Sequence, residues 1–293
     1  MNNITVVIPT IRPRMLPLFL KKWEYQFNQY DIKVVIVFDG ENPEVRYLGN
    51  FYSSNGVMGK YNDLIFNKND GVRNLGFAFV AKLFPDTEYI ISLDDDVGPY
   101  EDTIGNHLKA LSMKVPVSWL STASEYTRGF PYLIREEAEV VLSHGIWEGT
   151  KDYDAATQLV RGNPDVTFYK GPIPKGIFYP MSGMNLAFKR KMLPYMYFAP
   201  MGQKVGLDRF ADIWCGIESK KIIDKNKWAV VTGYAKVLHE RASNVFTNLQ
   251  KEAKGIEANE TFWKGDETNP YFKMYEKKRK RWQEFMKQSL QTI

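Results

Sequence analysis

The chain has 293 residues, of which 44% are hydrophobic and 25% charged, and a formal net charge of +5; this is an ordinary globular composition, large enough to bury a full core in one α/β domain. The modest positive excess suits an anionic small ligand and falls short of the dense basic stripe of a nucleic-acid binder, so no nucleic-acid partner is expected. A single cysteine, Cys215, excludes an intrachain disulfide and makes the reducing cytoplasm the expected compartment; no apolar run nears the roughly 20 residues of a membrane span, and no secretory leader pattern precedes residue 4, so integral membrane contact is not expected.

In chain order, β-rich runs at 4–8, 33–38 and 89–93 are separated by stretches at 17–27 and 72–83 that read as helices. That alternation predicts βαβ units and a Rossmann-like, mainly parallel sheet flanked by helices. Each run ends in polar residues: Thr10 and Arg12 after the first, Asp39-Gly40 after the second, Asp94-Asp95-Asp96 after the third. Three polar strand ends on one edge predict a binding crevice. A helix is expected at 104–111 and a strand at 119–121. The Gly-, Pro- and aromatic-rich section that follows, up to about residue 206, reads as acceptor-side or sugar-side loops. Residues 208–224 have helical periodicity, and 228–231 reads as a short strand before Val237-Leu238-His239. Residues 1–265 are expected to form one catalytic domain. In 266–293, Tyr275, Trp282, Phe285 or Met286, and Leu290 fall near helical spacing around Lys277-Lys278-Arg279-Lys280-Arg281, which reads as a packed basic amphipathic helix or one touching an anionic surface or a partner.

The aspartate triplet is the most informative spot. A strand ending in adjacent carboxylates concentrates hard oxygen ligands where open α/β sheets hold theirs, and the cluster repels itself unless a cation sits in it. The ion it favours, Mn²⁺ or Mg²⁺, would carry a diphosphate, which points to a nucleotide-sugar enzyme. The alternative is a solvated acidic turn or helix cap. No Gly-x-Gly-x-x-Gly fingerprint is present, so neither flavin nor NAD is expected.

Several collinear strings resemble the reversibly glycosylated polypeptides, the UDP-arabinopyranose mutases best known from plants. They include Val7-Ile8-Pro9-Thr10-Ile11-Arg12, Ser92-Leu93-Asp94-Asp95-Asp96, Arg128-Gly129-Phe130-Pro131-Tyr132 with Arg135-Glu136, and Ser143-His144-Gly145-Ile146-Trp147. Asp152-Tyr153-Asp154-Ala155, Pro180-Met181-Ser182-Gly183-Met184-Asn185, and Ala242-Ser243-Asn244 after His239 extend the match to about residues 4–256. The resemblance implies a GT-A glycosyltransferase-like fold, a UDP-sugar substrate, a divalent metal, mutase activity between UDP-arabinopyranose and UDP-arabinofuranose, and reversible self-glycosylation on an arginine. The chain departs from the family at Ala211-Asp212-Ile213-Trp214, where two acids are usual, and at Val97 and Ser182, where plant members tend to carry cysteines. A transferase acting on a separate acceptor and a weakly active self-glycosylating scaffold subunit are the alternatives, and a homo-oligomer is compatible with each.

On this reading Asp96 binds metal, Asp94 binds metal or ribose, Asp95 belongs to the nucleotide site, and His239 completes the metal shell or is a satisfied core histidine. Asp39 reads the uracil edge or forms a turn, and Thr10 and Arg12 hold uridine or phosphate. Arg73 adds to the anion site or forms a surface salt bridge. Arg128 is the glycosylated arginine or clamps the pyrophosphate, Arg135 helps neutralise departing UDP, and Asp212 moves protons. His144 contacts substrate or packs, and His107 is structural.

Overall fold

The computed structural model describes residues 3–120, 126–135, 137–240, 244–265 and 268–291. Its elements are β1 (Ile4–Thr10), α1 (Leu16–Gln29), β2 (Lys33–Phe38), β3 (Glu44–Tyr47), β4 (Asn50–Ser53), α2 (Ser54–Met58), α3 (Arg73–Leu83), β5 (Tyr89–Leu93), β6 (Val97–Pro99), α4 (Thr103–Leu111), β7 (Lys114–Val115), β8 (Ala138–Gly149), α5 (Ala155–Arg161), β9 (Gly171–Pro172), β10 (Asn185–Lys189), α6 (Ala211–Lys225), β11 (Ala229–His239), α7 (Val245–Glu252), α8 (Ile256–Trp263) and α9 (Pro270–Gln291).

The main sheet runs β4-β3-β2-β1-β5-β10-β8-β11-β6. Strands β1, β2, β4, β5, β8 and β11 point one way, and β3, β6 and β10 the other. Strand β1 alternates strictly: Ile4, Val6 and Ile8 face the layer with Trp23 and Phe27 of α1 and Ile104 of α4, while Val7 faces the layer with Phe77, Trp214 and Trp282 of α3, α6 and α9. Because both faces are covered, the central strands read as near-continuous apolar runs, as a sheet buried on two sides requires.

Helix α3 is drawn unusually close to this sheet. A Cβ on Gly76 would stand 2.4 Å from a Val7 methyl and 2.8 Å from a Val37 methyl, so only glycine fits there. That approach carries the first residue of α3, Arg73, under the carboxyl ends of β1 and β5. Helix α9 buries Tyr275, Trp282, Phe285 and Met286. Its Trp282 Nε1–H donates to the Leu193 carbonyl at 3.0 Å, and the Tyr275 hydroxyl donates to that of Tyr197 at 3.0 Å. Much of its basic run is neutralised within the chain: Arg279 pairs with Glu218, and Lys278 and Arg281 with Asp63.

Two expected strands differ. Trp119 and Leu120 lie in irregular chain, Ser121 falls outside the described residues, and the short strand is Lys114–Val115 instead. The two fragments expected at 228–231 and 237–239 are one strand, Ala229–His239. Its pairing with β8 shifts register between Thr232 and Lys236, where Gly233 takes φ 82°. A bulge absorbs the interruption that looked in sequence like a strand end.

Candidate active site

The carboxyl ends of β1, β2 and β5 open into a cleft of about 290 Å³ whose lining includes Thr10, Arg12, Asp39, the three aspartates and His239. The register fixes this convergence: Thr10 is level with Phe38 across β1 and β2, and Val7 with Ser92 across β1 and β5. The repulsion within the triplet is met by two arginines. Arg73, fully buried, donates to the Asp94 carboxylate at 2.7 Å, to Ser92 Oγ at 2.5 Å and to the Gly183 carbonyl at 2.7 Å, with its guanidinium 5.0 Å from the Phe198 ring centre. Burial pushes the Asp94 carboxyl up, with Asp96 and Asp95 adding to it and Arg73 opposing. Arg12 bonds Asp95 and, at 3.1 Å, Asp96, while the Thr10 hydroxyl donates to Asp95 at 2.5 Å. Asp95 therefore anchors the end of β1 to the end of β5.

Asp39 accepts the Lys68 backbone N–H at 2.6 Å; burial pushes its carboxyl up to about 6, with two backbone N–H groups, those of Lys68 and Asn69, opposing. His239 ends β11, and its Nδ1 lies 2.8 Å from the Thr150 carbonyl. That bond places the proton on Nδ1 and leaves Nε2 with a bare lone pair, the tautomer a metal ligand needs. Among the described residues no three His, Cys, Asp or Glu side chains stand close enough to cage an ion by themselves. The donor set fits a divalent ion held by one or two carboxylates and substrate phosphates, the usual manner of Mg²⁺, rather than a dedicated cage.

A second cavity of about 330 Å³ continues from the first and shares Asp70, Asp94, Asp152, Met184 and Arg209 with it. Asp212, in the first turn of α6, accepts the Gly183 N–H at 3.0 Å and the Ile213 N–H at 2.9 Å. Burial pushes its carboxyl up to about 7; Asp70 and Asp152 add to this, while the Gly183 N–H and Arg73 oppose it. His144 accepts the Ser182 N–H at Nε2, and its Nδ1 meets the Tyr179 and Thr232 hydroxyls at 2.7 and 3.0 Å. Burial pushes His144 down to about 3, with His107 adding, so it stays neutral. Trp147 Nε1, beside it, is buried without a hydrogen-bond partner, as is Gln158 Oε1 in the first cavity. Among the described residues these are the two buried side-chain polar atoms without a hydrogen-bond partner.

The chain matches the family model described as "Reversibly glycosylated polypeptide" over residues 1–276. The chain belongs to this family. Among its relatives, "Probable UDP-arabinopyranose mutase 4" of Arabidopsis thaliana is 34% identical, with 87% of this chain and 74% of that one covered, and "UDP-arabinopyranose mutase 3" of the same plant is 34% identical, with 92% and 78% covered. Of solved structures, the catalytic domain of Drosophila β1,4-galactosyltransferase 7 aligns over 86% of this chain and 81% of that one at 10% identity, with a TM-score of 0.42.

The cleft gathers most of the residues singled out in the sequence: Thr10, Arg12, Asp39, Arg73, Asp94, Asp95, Asp96 and His239 in its first half, Asp212 and His144 in its second. Arg73 is no surface ion pair, and its fork is taken up by Asp94, Ser92 and Gly183 rather than left for a phosphate. His107 is a core histidine, bonded to Ser143 and Asn185, with burial pushing it down to about 4. Arg128 and Arg135 are not among the residues that line the cleft. They are exposed, and the Arg135 guanidinium lies over the Tyr126 and Tyr132 rings. They sit in the connection that enters β8 at Ala138. Through β10, His144 of β8 is level with Ser92 of β5, so Ala138, six residues earlier, lies roughly 20 Å back toward the opposite edge of the sheet. Glu136, Ala242 and Ser243 of the matched strings fall outside the described residues.

Sequence reasoning gave no role to Asp70, Asp152 or Arg209, which join the two halves of the cleft. Asp152 stands inside a matched string, and Arg209 immediately precedes the Phe210-Ala211-Asp212 helix start. Those positions were the available signals.

Proposed function

We propose that this chain is a UDP-arabinopyranose mutase, interconverting the six-membered and five-membered ring forms of the UDP-linked sugar. Family membership and the names of its relatives support the activity. The observation that carries it on this chain is the two-part cleft. Basic and acidic strand ends line one half, and a carboxyl group poised to exchange protons near neutrality lines the other.

Ring contraction follows from these parts. The C1–O bond to the β-phosphate breaks, with its electron pair leaving on UDP. The O4 hydroxyl attacks C1 and gives its proton to Asp212; the C1–O5 bond then breaks, O5 takes that proton, and a β-phosphate oxygen rebuilds the bond to C1. No oxidant or reductant is needed. Asp39 suits the uracil imide N–H, and the neutral His144–Tyr179 pair suits sugar hydroxyls. Asp94, Asp96 and His239 Nε2 would hold a Mn²⁺ or Mg²⁺ ion, which screens the diphosphate from the carboxylates when bound.

Residues 1–265 form the catalytic unit in this proposal, with α9 packed on it. A cytoplasmic setting agrees with Cys215, the one cysteine, which is buried and whose thiol burial pushes up to about 12. Among the described residues no helix is long and apolar enough to cross a membrane. If Arg128 is the arginine that takes up sugar, its position outside the cleft calls for the cleft of a second copy. Incubating the protein with UDP-arabinopyranose and Mn²⁺ and separating the nucleotide sugars tests the activity. A mixture with UDP-arabinofuranose, reached from either side and without acceptor, is the expected result; sugar transfer only after an acceptor hydroxyl is supplied would overturn it.

A further inference from the structure

The bond that must break in such a reaction lies between the diphosphate and sugar halves of the cleft. The residues common to both halves are Asp70, Asp94, Asp152, Met184 and Arg209, so Arg209 is the one cation at that junction among the described residues. The other arginines near the nucleotide are already committed: Arg12 to Asp95 and Asp96, Arg73 to Asp94, Ser92 and Gly183. Arg209 is held differently. Its ion pair with Glu252 is long, 3.9 Å, its side chain keeps 37% of its surface exposed, and the charges of Asp70, Asp152, Asp212 and Glu252 all act on it.

Its backbone is the second observation. Arg209 takes φ 73°, a left-handed conformation that costs a long L side chain on the order of 1 kcal/mol or more. The surroundings enforce it. Asp208 accepts the Arg209 N–H at 2.9 Å and pairs with Lys251 of α7 at 3.3 Å, and the chain before it is pinned by a Gly202 N–H to Leu207 carbonyl bond of 2.7 Å. Glu252 is in turn fixed by the Ala155 N–H at 2.7 Å. These contacts fix the backbone from which the Arg209 side chain enters the junction of the two cavities.

We infer that Arg209 is the cation that meets the β-phosphate of the departing nucleotide, a role that rests on the mutase reading for its substrate. When the C1–O bond breaks, the electron pair stays on the β-phosphate oxygen and the diphosphate gains one negative charge. A guanidinium aimed at that oxygen binds the freed UDP, and the charge-separated transition states that lead to and from it, more strongly than the UDP-sugar, and so lowers the barrier met from either ring form. The carboxylates around Arg209 keep it charged and withdrawn until the more highly charged anion competes for it.

The test compares wild type with Arg209→Gln and Arg209→Gly, measuring UDP and UDP-arabinopyranose affinity by calorimetry and interconversion by nucleotide-sugar separation. The glycine variant relieves the left-handed strain and should melt at or above the wild-type temperature, which separates loss of function from loss of fold. Both variants should lose about 100-fold or more in kcat with a far smaller change in KM, and should weaken UDP binding more than UDP-sugar binding. Unchanged kcat, or equal weakening of both ligands, overturns the inference. If wild type itself fails to interconvert the sugars, the mutase reading falls, while the UDP against UDP-sugar comparison still decides the role of Arg209.

Discussion

Replacing Asp212 with asparagine separates the chemical role of this carboxyl group from its structural one. In wild type both oxygens accept backbone N–H groups, and burial among Asp70 and Asp152 raises the carboxyl to about 7, against about 3.9 for an unfolded chain. At roughly 1.4 kcal/mol for each pH unit between those values, ionised Asp212 costs the fold on the order of 4 kcal/mol. Between pH about 4 and 7 the folded chain holds a proton that the unfolded chain has lost, so its stability falls as pH rises through that window and levels off above it. The asparagine side chain has no such titration. It also presents an N–H₂ group where one of the two backbone donors needs an acceptor, a pH-independent cost of about 1–3 kcal/mol. Urea unfolding of Asp212→Asn should therefore show a variant less stable than wild type at pH 5 that gains on it by about 3 kcal/mol at pH 8. Its kcat should fall by about 100-fold to 10,000-fold at every pH, and the limb near pH 7 in the wild-type activity profile should vanish. Parallel stability curves for the two proteins, or activity within about tenfold of wild type, would refute the assignment of Asp212 as the proton carrier.

Arg73→Met should cost about 3 kcal/mol or more in urea unfolding, since it leaves the Asp94 carboxylate without its buried cation, while the Gly183 carbonyl keeps the Ser92 hydroxyl as a donor at 3.0 Å. Adding Asp94→Asn should recover part of that loss, whereas simple additivity would show that the two do not form a unit. Asp96→Asn should fold normally yet lose the Mn²⁺ dependence of UDP-sugar binding, and full wild-type activity in EDTA would sink the metal assignment. For Arg128, the chain carrying Asp96→Asn is mixed with one carrying Arg128→Lys and with labelled UDP-sugar. Because Arg128 lies outside its own cleft, peptide mass spectrometry should find label on the Asp96→Asn chain only in the mixture; a label that never crosses between chains refutes glycosylation in trans.

Much of the site was legible in the sequence because strand ends carry their polar residues with them. Once residues 4–8, 33–38 and 89–93 read as strands joined by helices, Thr10, Arg12, Asp39 and the aspartate triplet had to share an edge, since parallel strands linked by crossovers end on the same side. The amphipathic pattern of 270–291 and the core position of His107 were likewise set by local composition. Tertiary structure decided the rest. Which edge a long connection leaves from depends on the register of strands far apart in sequence, and so Arg128 and Arg135, adjacent to the site by analogy, lie at the other end of β8. Whether an arginine is committed or available depends on what packs over it: Gly76 lets α3 descend until Arg73 is taken up by Asp94, while Arg209 keeps its charge at the junction of two cavities built by α5, α6, α7 and the carboxyl edge of the sheet. Sequence dictates which charges a chain carries. Folding decides which of them have already found a partner, because a buried charge must be paired and an exposed one at a cleft need not be.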